Sequence, residues 1–191
     1  MSRMTKKSIE ITGTHNRRQI RLCNDESFVP IERKFYSQIT TKFTQDDIMK
    51  IIPQLYLKIS DDDCDFSLLS LDELEENIIS EIKVKLSSYI NQDKNKKKLN
   101  PREKGEKISL YNILEKMLTS KHKCYYCKNR YEILYEYTRE PKQWTLERIN
   151  NDLGHTNENC VISCLECNLK RRTTDIKKFE FTKNLKITKK E

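Results

Sequence analysis

The chain has 191 residues, of which 36% are hydrophobic and 35% are charged, and its mean hydropathy is −0.84. This length suits one domain, or one domain with a smaller companion, around a modest apolar core. No run of 18 apolar residues occurs, and the basic N-terminus has no apolar stretch. We therefore expect neither a transmembrane helix nor a secretory signal, but an intracellular protein of the cytoplasm or nucleus.

Positive charge is concentrated in the C-terminal half. The whole chain has a net charge of +8, and residues 1–95 contain 14 basic and 16 acidic side chains. Residues 96–191 contain 23 basic and 13 acidic side chains, a net charge of +10. This asymmetry favours nucleic acid as a partner, although a lysine-rich composition also serves solubility alone.

The N-terminal region, residues 1–95, is predicted to be mainly helical. Residues 1–30 show no sustained period and are expected to be irregular. Thr44, with two acids soon after it, is a plausible N-cap for a helix over residues 44–59. Pro53 should kink or end that helix.

An acidic segment and a second helix come next in the chain. Residues 60–82 contain nine acids and no Lys or Arg. The segment DDDCD lacks the Gly and the terminal Glu of a calcium-binding loop, so a solvated acidic loop is favoured. From Ser70 onward, apolar residues recur at intervals of three and four and predict an amphipathic helix over residues 70–90. The cation-rich residues 96–107 then predict a basic linker to a domain over residues 108–191.

Two cysteine pairs carry the strongest signal in the sequence. Cys124 and Cys127 form one C-x2-C pair, Cys164 and Cys167 form another, and 36 residues separate them. Four thiolates at this spacing can surround one metal ion tetrahedrally, and thiolates prefer zinc or an iron–sulfur cluster. Structural zinc is predicted, because the βαβ context that a redox pair requires is missing. The other cysteines are expected to be ordinary small side chains: Cys23, Cys64 and Cys160.

Short elements are predicted around these pairs. A helix over residues 108–119 leads into the first pair. Strand-prone residues 131–137 and 144–149 predict a β-hairpin, and a loop with several Asn and Asp residues comes after it. The segment 159–163 is then expected to enter a helix that carries the second pair.

Residues 124–172 resemble the HNH, or ββα-metal, endonuclease family in its four-cysteine zinc form, a variant frequent in phages and large DNA viruses. The segments LERINN and GHTNENCVISCLECN are similar to a family pattern of the form LDRIDN…GY…N…CxxCN. The match covers about 50 of the 191 residues. It implies a small zinc-stabilised ββα-metal domain, which together with the helical N-terminal region predicted above gives an α+β fold.

The resemblance implies a DNA endonuclease that hydrolyses phosphodiester bonds with Mg²⁺ or Mn²⁺. Glu147 and Asn168 stand at the positions of the catalytic metal ligands, and Asn159 stands at the position that tethers the intervening loop. Arg148 replaces the histidine that activates water. Guanidinium is always protonated and cannot act as a base, so either His155 or the metal alone would activate the water, while Arg148 would hold the phosphate.

The partner implied is DNA, with no membrane association. The predicted contacts to nucleic acid are basic side chains at and after the motif: Arg148, Lys170, Arg171 and Arg172. A homodimer is left open, because cutting two strands with one site often requires two copies. Two alternatives remain: a catalytically inactive zinc-dependent nucleic-acid-binding module, and an adaptor whose acidic segment 60–82 docks basic partners.

Overall fold

The computed structural model describes residues 30–59, 64–65, 69–96 and 106–185. The chain divides into two compact units, residues 1–31 and 32–191, and every helix and strand of the described residues belongs to the second unit. The predicted irregular segment 1–30 and the linker 96–107 lie largely outside the described residues.

Two helices open the described part, α1 over Lys34–Lys42 and α2 over Gln45–Lys58. The Thr44 side chain accepts a hydrogen bond from the Asp47 backbone N–H at 3.2 Å, and Asp47 accepts one from the Thr44 backbone N–H at 3.1 Å. This reciprocal cap confirms the predicted start of α2. Pro53 does not end the helix, which continues for five more residues to Lys58.

Helix α3 spans Glu73–Lys96, which confirms the amphipathic helix predicted over residues 70–90 and extends it to Lys96. Of the acids in residues 60–82, Glu75 and Glu81 are buried on this helix, whereas most of the DDDCD segment predicted to be a solvated loop lies outside the described residues. Each has a basic partner, because Lys58 Nζ lies 2.6 Å from Glu75 and Arg33 Nη2 lies 2.8 Å from Glu81. Ion pairing offsets the cost of burying the two carboxylates.

Helix α4 spans Leu110–Thr119 and is capped by Ser109, whose hydroxyl accepts from the Asn112 backbone N–H at 3.0 Å. Helices α2, α3 and α4 pack against one another. Their core continues into the C-terminal segment, and its fully buried side chains include Ile48, Ile52, Leu55, Ile78, Ile82, Ile113, Leu114, Met117 and Trp144.

The sheet has two antiparallel strands, β1 over Trp144–Arg148 and β2 over Cys160–Cys164. Trp144 lies opposite Cys164, and Arg148 lies opposite Cys160. The predicted strand 131–137 forms only isolated bridges, so the expected hairpin is wrong. The partner of β1 is instead β2, although residues 159–163 were expected to enter a helix. The β-branched residues Val161 and Ile162 favour a strand at this position.

Helix α5 spans Leu165–Arg171 and begins where β2 ends, and helix α6 spans Ile176–Asn184. The described residues thus form a mixed helical structure with one small sheet, which confirms the α+β class. Among the described helices, none combines the length and the apolar character needed to cross a membrane.

Candidate functional site

Four cysteine sulfur atoms converge at one end of the sheet. The Sγ atoms of Cys124, Cys127, Cys164 and Cys167 all lie within 4.8 Å of one another, and those of Cys127 and Cys164 are 3.9 Å apart. A tetrahedral site with metal–sulfur bonds of ~2.3 Å separates its sulfur atoms by about 3.8 Å. The four-cysteine group could therefore hold a structural metal ion.

Backbone hydrogen bonds fold the first pair into a tight turn. Cys124 N–H donates to Asn129 O at 2.8 Å, and Lys128 N–H donates to Cys124 O at 3.0 Å. Lys128 adopts a left-handed conformation with φ 58°, which reverses the chain. Tyr125 N–H then donates to Ile162 O at 2.9 Å and ties this turn to β2.

The second pair lies at the junction of two elements. Cys164 is the last residue of β2 and the N-cap of α5, and Cys167 is buried in the first turn of α5. A hydrogen bond with Cys164 lowers the pKa of the Cys124 thiol to about 5, and the pKa of Cys164 is raised in return. This hydrogen bond favours the thiolate form of Cys124, which is the form in which a cysteine binds a metal ion.

The loop between β1 and β2 is tied to the end of β1 by Asn159. Its Oδ1 accepts from Asn150 N–H at 2.8 Å, and its Nδ2 donates to Asn150 O and to Gly154 O, each at 2.9 Å. Asn159 is buried, so these three bonds replace its contacts with water. The loop conformation therefore depends on this one side chain.

Glu147 lies at the interface of β1 and α5, where it forms a buried ion pair. Its Oε1 accepts a hydrogen bond from Arg171 Nη1. Arg171 also donates to Arg148 O at 2.7 Å and to Ile149 O at 2.8 Å. Burial raises the pKa of Glu147, whereas the Arg171 guanidinium acts in the opposite direction.

Asn168 lies one turn before Arg171 on α5 and faces the same interface. Its Nδ2 donates to Thr145 Oγ1 at 3.3 Å. Thr145 in turn donates to Ser163 O at 3.0 Å. Alternate residues of a strand share a face about 7 Å apart, so Thr145 and Glu147 both point toward α5.

Two side-chain oxygen atoms near this interface have no hydrogen-bond partner in the described part of the chain. Among the described residues, neither Glu147 Oε2 nor Asn168 Oδ1 takes part in a hydrogen bond. Beside them, the buried Tyr126 hydroxyl and Arg171 Nε also have no hydrogen-bond partner in the described part of the chain. Carboxylate and amide oxygens are the ligands that Mg²⁺ and Mn²⁺ prefer, and unpaired polar atoms are what a ligand site presents.

Arg148 and His155 lie on the opposite face of β1. Arg148 Nη1 donates to Asp93 Oδ1 at 3.3 Å and to Leu153 O at 3.2 Å. His155 is buried, with its backbone N 2.7 Å and its Nδ1 2.8 Å from Asp93 Oδ2. The ring of Tyr89 packs on the His155 ring with centroids 4.9 Å apart. The structure therefore groups His155 with Arg148 rather than with Glu147 and Asn168.

The predicted phosphate contacts after the motif are not all at the surface. Lys170 and Arg172 are exposed, and Lys170 forms an ion pair with Glu166. Arg171 is only 2% exposed, and its guanidinium is directed at Glu147 and at the end of β1. In this structure Arg171 holds β1 and α5 together instead of facing solvent.

Sequence reasoning missed two residues of the site, Asp93 and Thr145. Asp93 lies four residues after Tyr89 on α3, and both contact the C-terminal segment. Polar residues do recur every four positions in this part of the sequence, at Glu81, Lys85, Tyr89 and Asp93. Their hydrogen-bond partners are more than fifty residues away, so the sequence pattern alone did not reveal them. Thr145 was not singled out because it lies within the predicted strand 144–149, where threonine is a common residue and indicates no particular function.

No protein-family model, curated protein or solved structure matches the chain. The chemistry of the site therefore rests on its own residues. These are a four-thiol cluster, two side-chain oxygen atoms at the interface of β1 and α5, and Arg148 on the opposite face of β1.

Proposed function

We propose that the chain is a DNA endonuclease of HNH type, which hydrolyses phosphodiester bonds with one divalent metal ion in a zinc-supported site. The observation that carries the proposal is the placement of three residues. Glu147 lies on β1, Asn159 ties the loop after this strand, and Asn168 lies on α5 facing the same interface as Glu147. The resemblance to the HNH family implies the same chain order for these residues: an acid on a strand, an Asn that ties the loop after it, and an Asn next to the second cysteine pair.

Zinc is the metal proposed for the four cysteines. A closed site of four thiolates leaves no open coordination position, which suits a structural role. The two pairs belong to segments far apart in sequence, so one ion joins the turn at Cys124 to the start of α5 at Cys164. We infer that zinc sets the position of α5, and with it that of Asn168.

Glu147 Oε2 and Asn168 Oδ1 are the proposed ligands of Mg²⁺ or Mn²⁺. When bound, such an ion polarises the scissile phosphate and stabilises charge in the transition state. The Thr145 hydroxyl binds the nitrogen of the Asn168 amide and so leaves its oxygen for the ion. The carboxylate of Glu147 is kept in place by Arg171.

Arg148 is the proposed phosphate ligand. Its Nη1 is bound within the protein, whereas Nε and Nη2 have no partner among the described residues. These two donors match the spacing of two phosphate oxygens. Arg148 ends β1 and lies on the face of this strand opposite to Glu147, so it would hold a phosphate of the substrate there, and stabilise its charge, without taking up a proton.

DNA is the proposed partner because the exposed cations lie next to this site. Lys170 and Arg172 come shortly after Asn168 and are exposed. The C-terminal half of the chain has a net charge of +10. Phosphate contacts of this kind position the duplex without reading its sequence.

A catalytically inactive nucleic-acid-binding module is the second candidate. The ion pair between Glu147 and Arg171 favours it, because a guanidinium already neutralises the carboxylate proposed to bind the metal. In this case the exposed cations Lys170 and Arg172 would bind nucleic acid, and the four-cysteine site would stabilise the fold that presents them. The Glu147–Asn168 interface would contribute to stability alone.

A cleavage assay separates the two candidates. Zinc-loaded protein is incubated with supercoiled plasmid and with branched DNA, in Mg²⁺ or in Mn²⁺. We expect nicking that Asn168→Ala abolishes and that Glu166→Gln, a change at an exposed residue of the same helix, leaves intact. Absence of cleavage by the unmodified protein on every substrate, together with retained DNA binding, would establish the inactive module.

A further inference from the structure

Helix α3 contacts the C-terminal segment through a polar stripe with a spacing of four residues. Tyr135 Oη donates to Glu81 at 2.7 Å, and Lys85 Nζ donates to Trp144 O at 2.5 Å. One turn further on, the Tyr89 hydroxyl accepts from Leu146 N–H at 3.2 Å. The stripe ends at Asp93, so α3 runs beside β1 along its length and reaches the level of Arg148.

Each carboxylate oxygen of Asp93 forms hydrogen bonds, one with Arg148 at the end of β1 and the other with His155 in the loop after it. Oδ1 accepts from Arg148 Nη1 at 3.3 Å, and Oδ2 lies 2.7 Å from His155 N and 2.8 Å from His155 Nδ1. The Asp93 and Arg148 side chains are only 8% and 14% exposed. A hydrogen-bonded charge pair at this degree of burial fixes the direction of both side chains.

Gly154 makes room for this carboxylate. A Cβ at position 154 would lie 3.3 Å from Asp93 Oδ2, closer than ordinary van der Waals contact. An alanine there would displace the carboxylate by a few tenths of an ångström. The position of Asp93 is therefore set by α3 on one side and by the loop on the other.

We propose that Asp93 is a positioning residue of the nuclease site, which fixes the direction of the Arg148 guanidinium for contact with a phosphate of the bound DNA. The proposal rests on the proposed function. With Nη1 held by Asp93 Oδ1 and Leu153 O, the guanidinium plane is fixed, and Nε and Nη2 have no partner among the described residues. An arginine held in this way loses less entropy when it binds a phosphate than a free one. The N-terminal half of the chain thus contributes a side chain to the site.

The experiment measures kcat and KM for Asp93→Asn, Gly154→Ala and the control Gln92→Ala, an exposed neighbour of Asp93 on α3. Asparagine keeps the size of aspartate and one acceptor oxygen but loses the charge. We expect Asp93→Asn to lower kcat by about 10- to 100-fold with little change in KM, because the arginine is misaimed rather than removed. Gly154→Ala should lower kcat in the same direction by a smaller factor, and Gln92→Ala should behave as the unmodified protein.

A double-mutant cycle shows whether Asp93 acts through Arg148. We expect Arg148→Lys to lower kcat, and Asp93→Asn to cause no further loss in the Arg148→Lys background. Unfolding temperature and zinc content are measured for each variant. If Asp93→Asn does not fold, the kcat of Gly154→Ala, alone and combined with Arg148→Lys, provides the test instead.

Three results would overturn the inference alone, given an active unmodified protein. They are wild-type kcat in both Asp93→Asn and Gly154→Ala, wild-type kcat in Arg148→Lys, and losses that multiply in the double variant. An unmodified protein that cleaves nothing would overturn the proposed function, and this inference would fall with it.

Discussion

The Thr145 hydroxyl decides which atom of the Asn168 amide is left free. Its Oγ1 accepts from Asn168 Nδ2, so Oδ1 is the amide atom left without a hydrogen-bond partner among the described residues. Replacing Thr145 by valine keeps the shape but removes this acceptor, so the amide can turn its nitrogen toward the ion. We expect Thr145→Val to weaken Mn²⁺ binding by about 10- to 100-fold, as is typical when a residue that orients a ligand is changed.

Direct measurement of Mn²⁺ binding by electron paramagnetic resonance tests this expectation without turnover. Thr145→Ser keeps the hydroxyl and is the matched control, which should bind Mn²⁺ within about threefold of the unmodified protein. Equal affinities for the valine and serine variants would show that the hydroxyl does not orient Asn168.

The Asn159 side chain should contribute more to stability than its neighbour Asn157. Asn159→Ala leaves Asn150 N–H, Asn150 O and Gly154 O without their partner, since all three bond to this side chain. We expect a loss of about 2 to 4 kcal/mol in the free energy of unfolding. Asn157→Ala should cost less than about 1 kcal/mol, because Asn157 Oδ1 has no partner in the described part of the chain. Urea titrations of both variants measure the difference, and equal losses would contradict the expectation.

At the scale of elements, Lys85 on α3 makes the packing of this helix depend on pH. Its side chain is 13% exposed, and burial lowers its pKa from 10.5 to about 7. Between these two values the unfolded chain binds more protons than the folded one, so the stability that Lys85 contributes falls as pH decreases from 10.5 to 7. Below pH 7 the contribution no longer changes.

Unfolding by urea at several pH values checks this sign. We expect the stability of the unmodified protein, relative to Lys85→Met, to rise between pH 7 and pH 10.5. Lys83→Met changes an exposed lysine of the same helix and is the matched control. A constant difference between the unmodified protein and Lys85→Met across this range would contradict the prediction.

The elements that could be predicted are those whose signals are local. The cap of Thr44 and Asp47 starts α2 within four residues, and the periodic apolar faces of α3 and α4 lie within each helix. The partner of β1 could not be predicted in this way, because β2 lies beyond the loop that Asn159 ties. The run 131–137 has the composition of a strand, yet tertiary packing buries several of its side chains without a ladder.

The candidate site was predictable where residue type determines chemistry. Four cysteines in two pairs pointed to a metal ion, and the structure brings their sulfur atoms together. The contacts of Arg148 could not be foreseen, because Asp93 precedes it by 55 residues and belongs to a helix recognised only by its apolar face. Long-range polar contacts leave no periodic pattern in a sequence.

At the scale of the whole molecule, the four-cysteine group joins segments that the small sheet alone would not hold. Typical structural zinc contributes on the order of 10 kcal/mol to folding. We expect Cys164→Ser to lose the metal and to unfold at a much lower temperature. Cys160→Ala should keep about one zinc ion per chain, since Cys160 is buried but lies outside the group.

Mass spectrometry of metal content and thermal unfolding, each with and without a chelator, test this expectation. Chelation should destabilise the unmodified protein and Cys160→Ala to a similar extent, and should change Cys164→Ser little. Full stability of Cys164→Ser would show that the four thiols do not hold a structural ion.

Because the sulfur atoms of Cys127 and Cys164 lie close together, a metal ion bound by the four cysteines would also protect these thiols from oxidation. Their sulfur atoms are 3.9 Å apart, and a disulfide needs them at about 2.05 Å, which a small side-chain rotation can supply. Once the ion has left, an oxidant and the metal compete for the same two sulfur atoms. A disulfide formed there would hold the start of α5 against the turn at Cys124 but would block the return of the ion. Protein purified without reductant should therefore accumulate a metal-free form that zinc alone does not restore and that zinc with a thiol reductant does.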